Sequence, residues 1–209
     1  MKLLFALLIA FLSSTAVAQP YLDGYIIKPN GDTLKGLIRY PDYNRWQKCP
    51  TSIKFKSDRK ARALNFTAGA IREFHVNDHE TYITFAGLVS ADGNSYPITG
   101  FKLDTSKKQD TIFLKQIAKG KHLTLYYHND RYKTRYFISE NNGTPVELEF
   151  HLYFENPNKL VQRPMYHGWL MSLANKYEPE NVALIKKIPE IQFAETDFED
   201  FVNEINNAN

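Results

Sequence analysis

The chain has a single cysteine, Cys49, in 209 residues. No internal disulfide can form, so the fold must rest on its core rather than on covalent staples. Beyond residue 18 no apolar run approaches the eighteen residues that a membrane helix needs, which predicts a mature chain without a transmembrane segment. Neither sign of charge is in large excess: 26 Lys and Arg stand against 23 Asp and Glu. That balance argues against nucleic acid as a partner. G-x-S-x-G, P-loop and G-x-G-x-x-G patterns are all missing, which leaves only catalytic arrangements that are not local in sequence. Nothing in the chain implies a cofactor.

Aromatic residues are abundant, with 13 Tyr and 14 Phe, enough to supply a core. The amino terminus has its own character. Lys2, an apolar stretch from Leu3 to Leu12, and Ala16-Val17-Ala18 before Gln19 have the three parts of a cleaved secretory signal. The expectation is a signal peptide over 1–18 and one domain over 19–209, exported to the periplasm or beyond. No cysteine follows the apolar stretch, so a lipoprotein anchor is not expected.

The stretch from Thr111 to Ser139 is the organising element. Leu123, Leu125 and Tyr127 alternate with His122, Thr124, Tyr126 and His128, the period of a strand with one buried face. Asn129-Asp130 reads as the turn of a hairpin, pairing Tyr127 with Tyr132, Leu125 with Thr134 and Leu123 with Tyr136. The second face then carries His122, Tyr126, Lys133, Arg135 and Phe137. This aromatic and cationic set suits a sugar, an anion or a protein. The plainer reading is a solvated sheet face, with Lys and Arg stems lying over rings.

Elsewhere, Tyr21 to Tyr40 reads as a hairpin about Asn30-Gly31 in a type I′ turn, with Gly24 and Gly36 marking close backbone approach or a bulge. Further strands are expected at Ser52–Lys56, Leu64–Phe66, Ile71–Val76, Thr81–Phe85, Pro97–Leu103 and Val146–Phe154, with Asp104 to Asp110 as a polar loop. From about residue 168 the period changes to that of helices. Trp169 to Tyr177 is one, Val182 to Lys187 a second, and a third follows Thr196-x-x-Glu199, which has the spacing of a capping box. The order implies α+β: a mainly antiparallel sheet (curved, a sandwich or a partial barrel) followed by two or three carboxy-terminal helices.

Tyr25-Ile26-Ile27, then Gly31-Asp32-Thr33-Leu34-Lys35-Gly36, then Phe113-Leu114, Gly120-Lys121 and Leu123-Thr124-Leu125-Tyr126 resemble a group of secreted Gram-negative envelope proteins of unknown function. Those proteins share a GYI…NGDT…G opening and a mid-chain FL…G…LY hairpin. The resemblance implies an envelope or secreted location and transfers no catalytic residues.

Four constellations invite chemistry. Glu147, Glu149 and His151 share one face of the expected Val146–Phe154 strand and offer acid–base groups; a solvated outer face explains them equally. His75-x-x-x-His79 with Asp78 and Glu80 has zinc-type ligands, yet lies in strand-turn-strand and lacks a third ligand, so no metal is expected. Cys49 beside Pro50 reads as a spare thiol. Tyr166 and Trp169 read as a staple between helix and sheet. The function expected is a non-enzymatic binding domain of the envelope, engaging an envelope protein or surface glycan through the hairpin's second face. The alternatives are a periplasmic hydrolase using Glu147, Glu149 and His151, and a pocket for a small apolar ligand inside a curved sheet.

Overall fold

The structure, a computed structural model, describes residues 20–40, 49–76, 80–93, 102–130 and 133–207. The expected signal peptide, positions 97–101 of an expected strand, Asp78, His79 and Tyr132 lie outside the described residues. The fold is α+β. A ten-stranded antiparallel sheet is built from β1 (Leu22–Ile27), β2 (Thr33–Arg39), β3 (Ser52–Lys56), β4 (Leu64–Thr67), β5 (Glu73–Val76), β6 (Glu80–Ser90), β7 (Lys107–Lys119), β8 (Leu123–Asn129), β9 (Thr134–Glu140) and β10 (Val146–Glu147). Their order across the sheet is β10-β9-β8-β7-β6-β5-β1-β2-β3-β4. β11 (Phe150–Asn156) and β12 (Lys159–Pro164) form a separate two-stranded sheet, and helices α1 (Tyr166–Tyr177), α2 (Val182–Lys187) and α3 (Glu195–Asn206) follow.

The main core lies on one face of the large sheet. Phe74, Tyr82, Phe113, Leu125, Tyr127 and Tyr136 meet Leu170 and Leu173 of α1 and Phe198, Phe201 and Val202 of α3. Phe74 stacks on Tyr82 at 4.5 Å between ring centroids. α3 docks through Asn206, whose Oδ1 accepts from the His122 and Leu123 N–H groups at 2.9 and 2.8 Å while its Nδ2 donates to the Leu123 carbonyl at 2.9 Å. Gly120 leaves room for that amide: a Cβ there would fall 2.1 Å from the Asn206 Cγ.

Several local expectations change. The β8–β9 hairpin pairs Tyr127 with Tyr136, Leu125 with Ile138 and Leu123 with Glu140, four residues from the expected register. Its end is tied by Asp130, whose N–H donates to the Lys133 carbonyl while its carboxylate accepts from the Lys133 N–H. Pairing in the first hairpin ends at Ile27 and Thr33. Lys28 to Gly31 closes with the Gly31 N–H on the Lys28 carbonyl, and Gly31 alone takes positive φ (92°). This is the type I turn with a left-handed glycine rather than type I′, because Pro29 pre-sets the first turn position. Gly24 and Gly36 do face each other, and a Cβ on either would sit 2.2 Å from a neighbouring carbonyl oxygen.

The expected Val146–Phe154 strand is two strands in two sheets, broken at Leu148-Glu149, after a last bond from the Leu148 N–H to the Tyr136 carbonyl of β9. The expected polar loop ends early, since β7 begins at Lys107. Thr196 lies inside α3 and caps nothing. Ala194 holds the cap position, and the Asp197 carboxylate accepts from the Gln192 N–H just ahead of the helix.

Candidate functional site

The long β6–β7 hairpin determines what becomes of the second face of the β8–β9 hairpin. β6 and β10 are separated by β7, β8 and β9, so on a flat sheet they would stand about 19 Å apart. Instead the Ser90 N–H donates to Glu147 Oε2 at 2.7 Å, and the Ser90 hydroxyl bonds the same carboxylate. The sheet therefore curls until the end of β6 reaches β10. Inside the curl lies a second core of Phe85, Val89, Leu114, Tyr126 and Phe137, with Phe85 and Phe137 rings 5.1 Å apart. The face read as solvated is an interior.

Side chains rather than a strand ladder make this closure. Lys133, 1 % exposed, places its ammonium 2.5 Å from Asp92 Oδ1. The other Asp92 oxygen lies 3.0 Å from Nδ1 of His151, which is also 1 % exposed. His151 Nε2 stands 3.7 Å from Glu149 Oε2, and Glu149 in turn takes Lys107 at 2.7 Å. Arg135, 3 % exposed, donates to Asp130 at 2.7 Å and to the Ser90 carbonyl at 3.0 Å, with its Nε 3.6 Å from Glu147. Among the described residues, Arg135 Nε and His151 Nε2 are buried without a hydrogen-bond partner. A buried charge that lost its partner here would cost several kcal/mol, so the cluster holds together as a unit.

The sequence-predicted residues thus distribute unevenly. Lys133 and Arg135, read as binding groups, and Glu147, Glu149 and His151, read as catalytic groups, join one cluster. Ser90, Asp92, Lys107 and Asp130 complete it, and no sequence signal marked them beyond turn and loop chemistry. Phe137 is core. His122 sits at the other end of β8, roughly 20 Å away along the strand, half-buried beside Tyr177 at 4.8 Å. Tyr126 closes one side of a groove of about 800 Å³, which also takes in Arg72, Glu73, Ile83, Gln116 and Lys119.

The other candidates separate. His75 Nδ1 meets the Thr81 hydroxyl at 2.6 Å, and its ring stacks on Tyr25 at 5.1 Å. Glu80 alternates to the opposite face, where it takes Lys115 at 2.6 Å and the hydroxyls of Tyr82 and Tyr40; His75 and Glu80 share no site. Burial pushes Glu80 up, but that ammonium and the hydroxyls outweigh it and hold the carboxyl below its usual range. Cys49 is buried with its thiol on the Tyr127 carbonyl, and burial pushes it up to about 12, so it is no nucleophile at neutral pH. Tyr166 is core and donates to the Ile191 carbonyl at 2.9 Å, while Trp169 packs half-buried against that core. No helix of the described residues is long and apolar enough to cross a membrane. Comparison with protein-family models, curated proteins and solved structures gives no match.

Proposed function

We propose that this chain is an exported, non-enzymatic binding domain of the cell envelope, and that it takes its partner in the groove beside Tyr126 rather than on an open cationic face. The carrying observation is the division of labour just described. The side chains with the greatest chemical capacity are engaged with one another inside the closure, whereas the groove presents an aliphatic surface and charges of both signs, with the edge of the largely buried Tyr126 ring in its wall. Its volume, about 800 Å³, falls in the range typical of binding clefts. The mixed lining favours an amphipathic partner segment or glycan over a purely apolar ligand.

The test is cross-linking of the tagged protein in its native envelope, followed by mass spectrometry. A reproducible partner lost on Tyr126→Ala with Gln116→Ala, in a variant that still unfolds cooperatively, supports the groove. Retention of that partner by the double variant rejects it.

One observation favours a second reading, acid–base hydrolysis. The Asp92–His151 contact orients the imidazole and leaves Nε2 as the nitrogen able to exchange a proton. It requires the closure to open, since both partners are enclosed. Hydrolytic activity that vanishes in His151→Gln while stability is retained would establish it.

A further inference from the structure

Charge is balanced over the chain but not along it. From Lys28 to Arg62 there are ten Lys and Arg against three Asp and Glu, whereas from Lys176 to the end there are three against eight. The fold turns this asymmetry into a surface. Arg39 and Lys54 are direct cross-strand partners on β2 and β3, and Leu37 pairs with Lys56 one step along on the same face. Tyr21 lies between them, with Arg39 at 5.0 Å and Lys56 at 4.9 Å from its ring centroid. The following loop adds Arg59, Lys60 and Arg62 at the surface.

Like charges placed directly opposite each other on a sheet are destabilising, and the surroundings here do not neutralise them. Among the described residues none of these six cations forms an ion pair within 4 Å. Of the nearby carboxylates, Asp58 is engaged by the Lys60 and Ala61 N–H groups, and Asp23, which pairs with Leu37, is the one acid on this face of β1. The core packs against the other face of these strands, through Ile38, Ile53 and Phe55.

We infer that this basic face of β2, β3 and the 57–62 loop docks on an anionic lipid bilayer. Charge complementarity carries the assignment. Six cations without an ion pair, spread over a sheet face and the loop that follows it, match an array of phosphates better than they match a single ligand, and each Lys or Arg near such a surface adds a comparable increment of attraction. Tyr21 and the half-buried Leu37 provide the amphipathic and apolar contact of an interfacial anchor. The acidic helix α3 packs on the sheet's opposite face through Phe198, Phe201 and Val202, which orients the molecule with that side away from the lipid. This surface is separate from the groove, so loss of lipid docking and loss of partner capture are independently observable.

The test is co-sedimentation of the purified protein with phosphatidylglycerol-containing vesicles and with phosphatidylcholine vesicles, at low and high salt. The expected result is binding to the anionic vesicles alone, reversed by salt and weakened at least about thirtyfold by Lys54→Glu with Arg59→Glu. The same charge change at Lys186→Glu with Lys187→Glu on α2 should leave binding within about twofold of the parent protein. Equal binding to neutral vesicles, no binding to either, or equal weakening by the two double variants overturns the inference.

Discussion

Lys133 keeps its ammonium 2.5 Å from the Asp92 carboxylate although only 1 % of its side chain is exposed. The two residues flank strands that are not neighbours: Asp92 follows β6, and Lys133 precedes β9. Their contact therefore reports the curl of the sheet, and it makes a lysine that reads as a surface cation into part of a clasp. With Arg135, Glu147 and His151 it ties the β6–β7 hairpin to β9, β10 and the start of β11. This is why the chain can bury Tyr126 and Phe137 on a face opposite its main core.

Stability should fall with acid in two stages. Burial holds the His128 imidazole below its usual 6.5, and nearby Arg135 acts in the same direction, against the Phe113 carbonyl that accepts from Nδ1. Folding thus favours the neutral form, so its contribution is complete above about 6.5 and declines as the unfolded chain takes up a proton below that pH. Glu80 is depressed from 4.5, so its contribution is present above 4.5 and is lost as pH falls through its lower folded value. Urea midpoints measured from pH 7 to pH 3 should show both stages. His128→Asn should flatten the upper stage; an unchanged slope between pH 7 and 5 would remove His128 as its cause.

Gly120→Ala should destabilise by about 1–3 kcal/mol, the range for overpacking a fitted contact, because the new methyl occupies the Asn206 amide's position. Asn206→Ala should cost a similar amount by leaving two strand N–H groups without their acceptor. Combining the two should cost clearly less than the sum, since they act through one contact. Additive losses in chemical denaturation would show that the glycine acts elsewhere.

Cys49 should resist alkylation in the native protein at pH 8 and react fully once the chain is unfolded. A thiol raised to about 12 and bonded to the Tyr127 carbonyl has almost no thiolate at that pH. Rapid labelling under native conditions would contradict its placement.

The sequence reveals faces far better than it reveals partners. Side-chain alternation has a period of two, so the four-residue register difference in the β8–β9 hairpin leaves Tyr127 and Tyr136 on one face and Tyr126, Arg135 and Phe137 on the other. Burial of the second face was not legible, because it depends on β6 and β7 being long enough to fold back over it. The alternation from Val146 to Phe154 likewise runs through a change of sheet, since it records which residues are apolar and not what covers them. The groove was illegible for the same reason: Arg72 lies far in the chain from Gln116 and Tyr126, which pair across β7 and β8, and only Tyr126 stands in a pattern that singles it out.

The most direct test of the clasp is a double-mutant cycle on Lys133→Met and Asp92→Asn, read by urea denaturation. The structure predicts that Asp92→Asn alone costs about 3–5 kcal/mol, because it leaves a buried ammonium without its counter-charge, and that it costs far less when Lys133 is already Met. Additive losses of below about 1 kcal/mol each, the behaviour of an exposed ion pair, would contradict a buried closure and return Lys133 and Arg135 to the surface as candidate binding groups.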